Sequence, residues 1–346
     1  MGATPKAASK FGDMVSNSGL TPWHGIGTVI DEAYTSGQRA LELARLDWDV
    51  RKGVLIDGET FEPIDKRFVL KADVAVRDAA GQVVREWDAE SREMRPALEA
   101  VTVGVDSNGA GTPQIVSDTY EIIQNSALAE TVDALSLNVQ TAGTMYNGRL
   151  VWMLADLGES ARFDGSGEDM HRWLLLTTDH GNGPFRIHGV NVRVVCENTL
   201  SAAVSGGDML HTIRHTSSAE ERIADAREAL TETYTAFDEF DAAVQKLIDQ
   251  PYSTEQMRRE MMPAVFGPMP HGPDASDRKR QAAATKRKAI GDIWRSDTVQ
   301  ANKWGAVMAV NEYEQHIQGT PSFSRTATKA VENDWPLTRK ALAVVS

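Results

Sequence analysis

Two clusters of cationic side chains are the residues in this sequence whose types and spacing best suit chemistry. Arg186, His188, Arg193, His211, Arg214 and His215 fall within residues 186–215, a stretch whose only acids are Glu197 and Asp208. Arg278-Lys279-Arg280 and Lys286-Arg287-Lys288 then place six cations in eleven residues. A row of guanidinium and ammonium groups neutralises phosphates without reading sequence. It can hold a single strand by its backbone and leave the base edges free to pair. The candidate nucleic-acid-binding residues are therefore Arg186, His188, Arg193, Arg214, Lys279, Arg280, Lys286 and Arg287. The plainer alternative for both clusters is solvated charge on strands and on a polar helix or linker. The formal net charge of −13 excludes a particle coated in positive charge but not a local basic groove.

Other chemistries find less support. Glu312 and His316 stand four apart, so they share one helical face, and His24 or His180 could complete a metal set in space. No His-Glu-x-x-His or Cys-x-x-Cys accompanies them. Cys196 lies in the apolar run Val194-Val195-Cys196 and reads as an inert buried thiol. There is no phosphate-cradling P-loop, and the glycines at 181 and 183 precede Pro184 rather than a helix. Catalytic residues, metal ligands and cofactors are accordingly not assigned.

The elements that must position these residues are legible in outline. Residues 1–20 form a polar, flexible lead, and order is expected from the turn Thr21-Pro22-Trp23-His24-Gly25 onwards. Residues 36–46 read as a short helix, and Asp57-Gly58 between β-prone runs as a hairpin. Asn125-Ser126 opens a helix with Leu128, Val132 and Leu135 on one side. Asn147-Gly148 is the strongest hairpin signal, with Arg149 to Leu154 as the second strand. Strands follow at 173–178 and 185–195, and Asn198-Thr199-Leu200 is expected to open a helix.

From Ser217 the texture changes. Ile223, Leu230, Phe237 and Val244 recur every seven residues in a stretch with nine acids and three basic residues, and Pro251 ends it. A Pro/Gly-rich loop at 263–273, the basic helix and an apolar region carrying Ile290, Trp294, Trp304 and Val307 come next. Trp294 and Trp304, at apolar helical spacing, read as core. The end, with Pro321 and Pro336, reads as extended or frayed.

The 346 residues exceed one average domain, and 41% hydrophobic with 25% charged residues is ordinary globular composition. No run is long and apolar enough to cross a bilayer, so no membrane partner is expected. The polar N-terminus and single cysteine point to a reducing cytoplasm, with no intrachain disulfide.

Three signatures stand in order: Pro22-Trp23-His24-Gly25-Ile26-Gly27-Thr28, Arg193-Val194-Val195-Cys196-Glu197-Asn198-Thr199-Leu200, and Trp304-Gly305 followed by Ala309-Val310-Asn311-Glu312-Tyr313 and His316. Together they resemble the phage/plasmid-like protein family, a domain of unknown function numbered 932, from about Trp23 to His316. Where that family usually has Asn-Ala-Val, this chain has Met308-Ala309-Val310-Asn311. The resemblance implies a home in phages, prophages or plasmids. Members look distantly similar to single-strand annealing proteins of the RecT and Red-beta kind. That likeness implies a strand-strand-strand-helix core, rings or filaments on DNA, and as partners single-stranded DNA, further copies of the chain and a phage exonuclease.

The resulting expectation is an α+β protein with an antiparallel sheet built on a strand-strand-strand-helix core, packed by a long amphipathic helix and a C-terminal helical region. Its parts are a lead (1–20), an α+β core (21–216), a helical region (217–318) and an extended tail (319–346). Its expected role is ATP-independent single-stranded DNA binding and annealing in recombination, in the host cytoplasm. Two alternatives remain open: a metal-dependent nucleic-acid-processing enzyme using His24, Glu312 and His316, and a non-enzymatic host-interaction protein acting through its acidic surface.

Overall fold

A computed structural model describes residue 10, residue 12 and residues 14–17, 28–163, 169–181, 183–193, 198–201, 210–216, 221, 223, 230–272, 275–297, 299–318 and 335–346. Of the flexible lead expected over residues 1–20, Val15–Asn17 are instead a strand of the main sheet, with Val15 buried, because two other strands pair with it. The rest of the lead apart from residues 10, 12 and 14, the expected turn at Trp23-His24, Cys196 and most of residues 217–229 lie outside the described residues.

The strands are β1 (Val15–Asn17), β2 (Thr28–Ile30), β3 (Asp49–Ile56), β4 (Pro63–Ala75), β5 (Arg85–Asp88), β6 (Glu93–Pro96), β7 (Leu98–Thr102), β8 (Ile115–Ser117), β9 (Asn138–Met145), β10 (Leu150–Arg162), β11 (Asp169–Asp179), β12 (Phe185–Arg193), β13 (Asn198–Ser201) and β14 (Leu210–Ile213). The helices are α1 (Gly37–Ala44), α2 (Ser126–Ala134), α3 (Leu230–Ile248), α4 (Thr254–Gln256), α5 (Met262–Phe266), α6 (Asp277–Trp294), α7 (Lys303–Glu312) and α8 (Pro336–Val345). The class is α+β, as the sequence implied. Among the described residues no helix is long and apolar enough to cross a membrane.

The main sheet runs β13-β12-β11-β10-β9-β1-β2, with β14 also paired to β12. Its centre, β9 to β12, is an antiparallel meander. The Asn147-Gly148 turn closes the first hairpin with Tyr146, Asn147 and Gly148 all at positive φ, and Leu150 faces Met145 across it. Side chains alternate between faces. Val151, Met153, Leu174, Leu176, Phe185 and Ile187 pack with α1, α2 and the second sheet, β3-β4-β7 with β8 on β4. Trp152, Leu154, Trp173, Leu175 and Val190 form a separate cluster on the other face, joined by Trp335. Gly143 faces Trp152 across the ladder, and a Cβ there would meet the indole at 2.8 Å, so the glycine leaves the ring its place.

A third apolar cluster belongs to the C-terminal helices. Phe237, Phe240, Val244 and Leu247 of α3 are buried, as the seven-residue spacing predicts. Arg172 of β11 fastens α3 to the sheet, pairing with Asp238 at 3.0 Å and Asp241 at 2.5 Å while its guanidinium lies over Phe237.

Three local expectations are corrected. Residues 198–201 are a strand, not a helix, because the free edge of β12 accepts Asn198–Ser201 as a ladder partner. The loop expected from Pro263 starts at Gly267 instead. A π-helical turn, Met257–Met261, precedes Pro263, and Met262 N–H reaches back five residues to the Met257 carbonyl, which widens the helix where proline lacks its donor. Of the extended tail expected over 319–346, residues 319–334 lie outside the described residues and Pro336–Val345 are the helix α8. Buried Glu314, in a second π-helical turn, accepts from Leu337 N–H at 3.0 Å and Thr338 N–H at 2.8 Å, satisfying first-turn donors next to Pro336. Ala341, Leu342 and Val345 then bury against the third cluster.

Candidate nucleic-acid interface

The two cationic clusters arrive in different settings. On β12, Arg186 and His188 alternate with buried Phe185 and Ile187, so both lie on the sheet face that carries Trp173 and Val190. Arg186 stands between Thr177 of β11 and Thr212 of β14, and it is half-buried. Burial, with Arg186 beside it, pushes His188 down to about 4, so this imidazole is neutral at pH 7 and adds no cation to the strip. Arg193 closes β12 in the ladder with Met170 and Asn198, and its side chain lies outside the described residues. Arg214 follows β14 by one residue and is exposed.

Helix α6 carries the second cluster. Ser276 caps it, accepting from Lys279 N–H at 3.3 Å, and Ala282, Ala283 and Ala284 favour the helical state. Its buried residues are Ile290, Gly291, Ile293 and Trp294, all in the last turn and a half. The first three turns therefore stand out from the core with Arg278, Lys279, Arg280 and Lys286 exposed. Arg280 pairs with Asp277 at 2.8 Å. Arg287 turns inward: it donates to the carbonyls of Gly267 and Ala283, its guanidinium lies over Phe266, and desolvation lowers its pKa. Arg278, Lys279 and Lys286 have no acid partner among the described residues. Trp294 and Trp304 are both buried, as their spacing predicts.

One polar cluster escaped the sequence reading. His180 follows β11 by one residue and is fully buried, with Nε2 2.9 Å from Asn125 Oδ1. The Asn125 amide nitrogen donates to the carbonyls of Leu46 at 2.8 Å and Trp48 at 3.4 Å, which turns its oxygen towards the ring. His180 must therefore donate from Nε2, and burial plus the neighbouring His215 pushes it down to about 3. The His215 Nδ1 lies 3.0 Å from the Glu121 carbonyl, and the ring stacks on Tyr120 at 4.7 Å. Tyr120 in turn accepts from Gly181 N–H at 3.2 Å. These groups tie the irregular connector 118–125 to the ends of β11 and β14. The Asn125-Ser126 pair signals a helix start, and the helix is there, but the Asn125 side chain makes no cap bond because it serves this cluster. Nothing local announces that contact, since His180 and His215 lie more than fifty residues away.

Glu312 ends α7 and His316 lies in the π-helical turn after it. Among the described residues no three metal-ligating side chains converge, and His24 lies outside them.

A family model described as Domain of unknown function (DUF932) matches residues 114–341, well over half of the chain. No curated protein matches, and no solved structure does. The matched region contains the β9–β12 meander, both cationic clusters and α3 to α7. It leaves out most of the second sheet and the β5–β6 hairpin.

Proposed function

The chain belongs to the DUF932 family, whose description assigns no activity, and from its exposed cations together with the resemblance of its motifs to phage- and plasmid-borne proteins we propose that it is an ATP-independent single-stranded DNA-binding and annealing protein of a phage or plasmid. In this reading it assists recombination in the host cytoplasm and works with a phage exonuclease. The observation that carries the reading is the projecting half of α6. It offers Arg278, Lys279 and Lys286 to solvent, unpaired among the described residues, on a chain of net charge −13. Such a helix grips phosphates from outside the stack and leaves base edges to find their complement. Arg186 and Arg214 supply a second, weaker line of contacts at the sheet.

Assembly into a ring or filament is part of the proposal. Phe61, Val54 and Ile56 at the β3–β4 hairpin, and Trp87, Met94 and Leu98 near β5–β6, are exposed large apolar side chains. A concentration of this kind favours a protein partner, and a second copy of the chain fits a polymer on DNA.

The test is fluorescence anisotropy with a labelled oligothymidylate across a salt series, followed by ATP-free annealing of complementary strands. Binding that weakens steeply with salt, and annealing faster than the spontaneous rate, are expected. Absence of binding at about 50 mM salt, or affinity indifferent to salt, overturns the reading.

A further inference from the structure

Beyond DNA, the opposite side of α6 holds a second feature. A cavity of about 460 Å³ opens between α4–α5 and the C-terminal half of α6. That is within the size range of sites that take a ligand or a few side chains, about 300–1,000 Å³. Its floor is made of thioethers, Met257 and Met262, with Met269 at the edge. Gly291 forms part of the wall, where a Cβ would meet the Arg295 guanidinium at 3.3 Å and the Met262 methyl at 3.6 Å. Methionine lining is unbranched and adaptable, and it suits varied aliphatic and aromatic side chains.

The rim is cationic. Arg258, Lys288 and Arg295 border the cavity. Each has only a shared, surface acid for company. Lys288 and Arg295 divide Asp292, at 2.6 Å and 2.7 Å, and Arg258 divides Glu255 with Arg259. Two carboxylates facing four cations leave positive charge in excess, and exposed pairs one helical turn apart exchange partners at little cost. The floor does not suit a nucleobase. Trp294 lines the cavity but is only 7% exposed and its indole N–H donates to Thr254 Oγ1 at 3.2 Å, so little aromatic surface is offered for stacking.

We propose that this cavity is a docking site for a short acidic peptide of a partner protein, with apolar side chains entering over the methionines and carboxylates meeting Arg258, Lys288 and Arg295. The occupant follows from charge complementarity around an apolar floor. The site is separate from the proposed DNA contacts, because Arg278, Lys279 and Lys286 are not among its lining residues, and on the shared turn Lys286 stands about 160–200° round the helix from Ala284 and Lys288.

The experiment uses the full chain and a fluorescein-labelled peptide carrying Leu and Phe four residues apart among Asp and Glu. Micromolar binding is expected, with at least about tenfold loss when Phe and Leu become Ala and similar loss when the acids become Lys. Ala284 is exposed at the cavity wall, so A284W fills the space without touching the core and should abolish binding. The pair R258E and R295E should do the same, while R278A with K279A should leave the peptide's affinity unchanged. No binding of the peptide, undiminished binding to A284W, or indifference to loss of Leu and Phe overturns the proposal. So does displacement of the peptide by oligothymidylate, which would give the cavity to nucleic acid. Failure of oligonucleotide binding alone tells against the annealing reading and leaves this result standing.

Discussion

The sheet strip around Arg186 and the first half of α6 begin from the same ingredient, cations in a chain rich in acids, and end in different environments. On β12 every second residue turns inward, so a run of basic and apolar residues is divided between two packed faces. His188 becomes neutral and Arg186 half-buried. On α6 the core claims only Ile290, Gly291, Ile293 and Trp294, and the preceding turns keep their charges in water with the exception of Arg287. A charge cluster predicts a phosphate contact only where the element carrying it projects from the fold. By that criterion α6 is the stronger candidate for the proposed contacts and the strip is first a structural face.

The largest effect should come from testing that structural face. Trp173→Ala removes a fully buried indole on the face that also carries Arg186, and should cost about 3–5 kcal/mol in urea unfolding. A loss under about 1 kcal/mol would show the face to be loosely packed and return the strip to candidacy as a groove. Next, replacing Arg278, Lys279 and Lys286 together by Ala should leave stability within about 0.5 kcal/mol. It should lower oligonucleotide affinity about tenfold to a hundredfold and reduce the slope of log affinity against log salt by about 2. An unchanged slope would break the comparison in favour of the sheet.

The third prediction concerns acid. His180 and His188 are held at about 3 and about 4, below the ordinary value of 6.5, because burial disfavours their charged forms. The unfolded chain therefore takes up protons first as pH falls. Stability is full above 6.5 and declines from 6.5 towards 4, by about 1.4 kcal/mol per pH unit for each histidine. Urea midpoints at pH 7 and 5.5 measure the decline, to which His215, lowered by burial, also adds, and His180→Gln, which keeps a donor for Asn125, should remove the share owed to His180. A decline unaltered by that substitution would place the titration elsewhere. The smallest effect is expected at the strip itself. Arg186→Ala should weaken oligonucleotide binding about two- to fivefold, and His188→Gln should leave it unchanged at pH 7. Equal losses from the two would show His188 to be charged and exposed.

Much of this was legible locally. The β9–β10 hairpin follows from Asn147-Gly148, whose residues tolerate positive φ. The buried stripe of α3 follows from seven-residue spacing, and the core roles of Trp294 and Trp304 from theirs. What escaped depended on distant partners. Asn198–Ser201 has the look of a helix start until β12 offers it an edge, and Pro336 that of a fraying end until Glu314 meets the first turn of α8.

The sequence by itself determined periodicity, turn chemistry and where cations gather, since each depends on neighbours within a few bonds. Only the tertiary structure decided which cations reach water, which histidines lose their charge, and that two methionines line a cavity beside α6. Exposure and desolvation are set by chain segments far apart in sequence, and no local pattern encodes them.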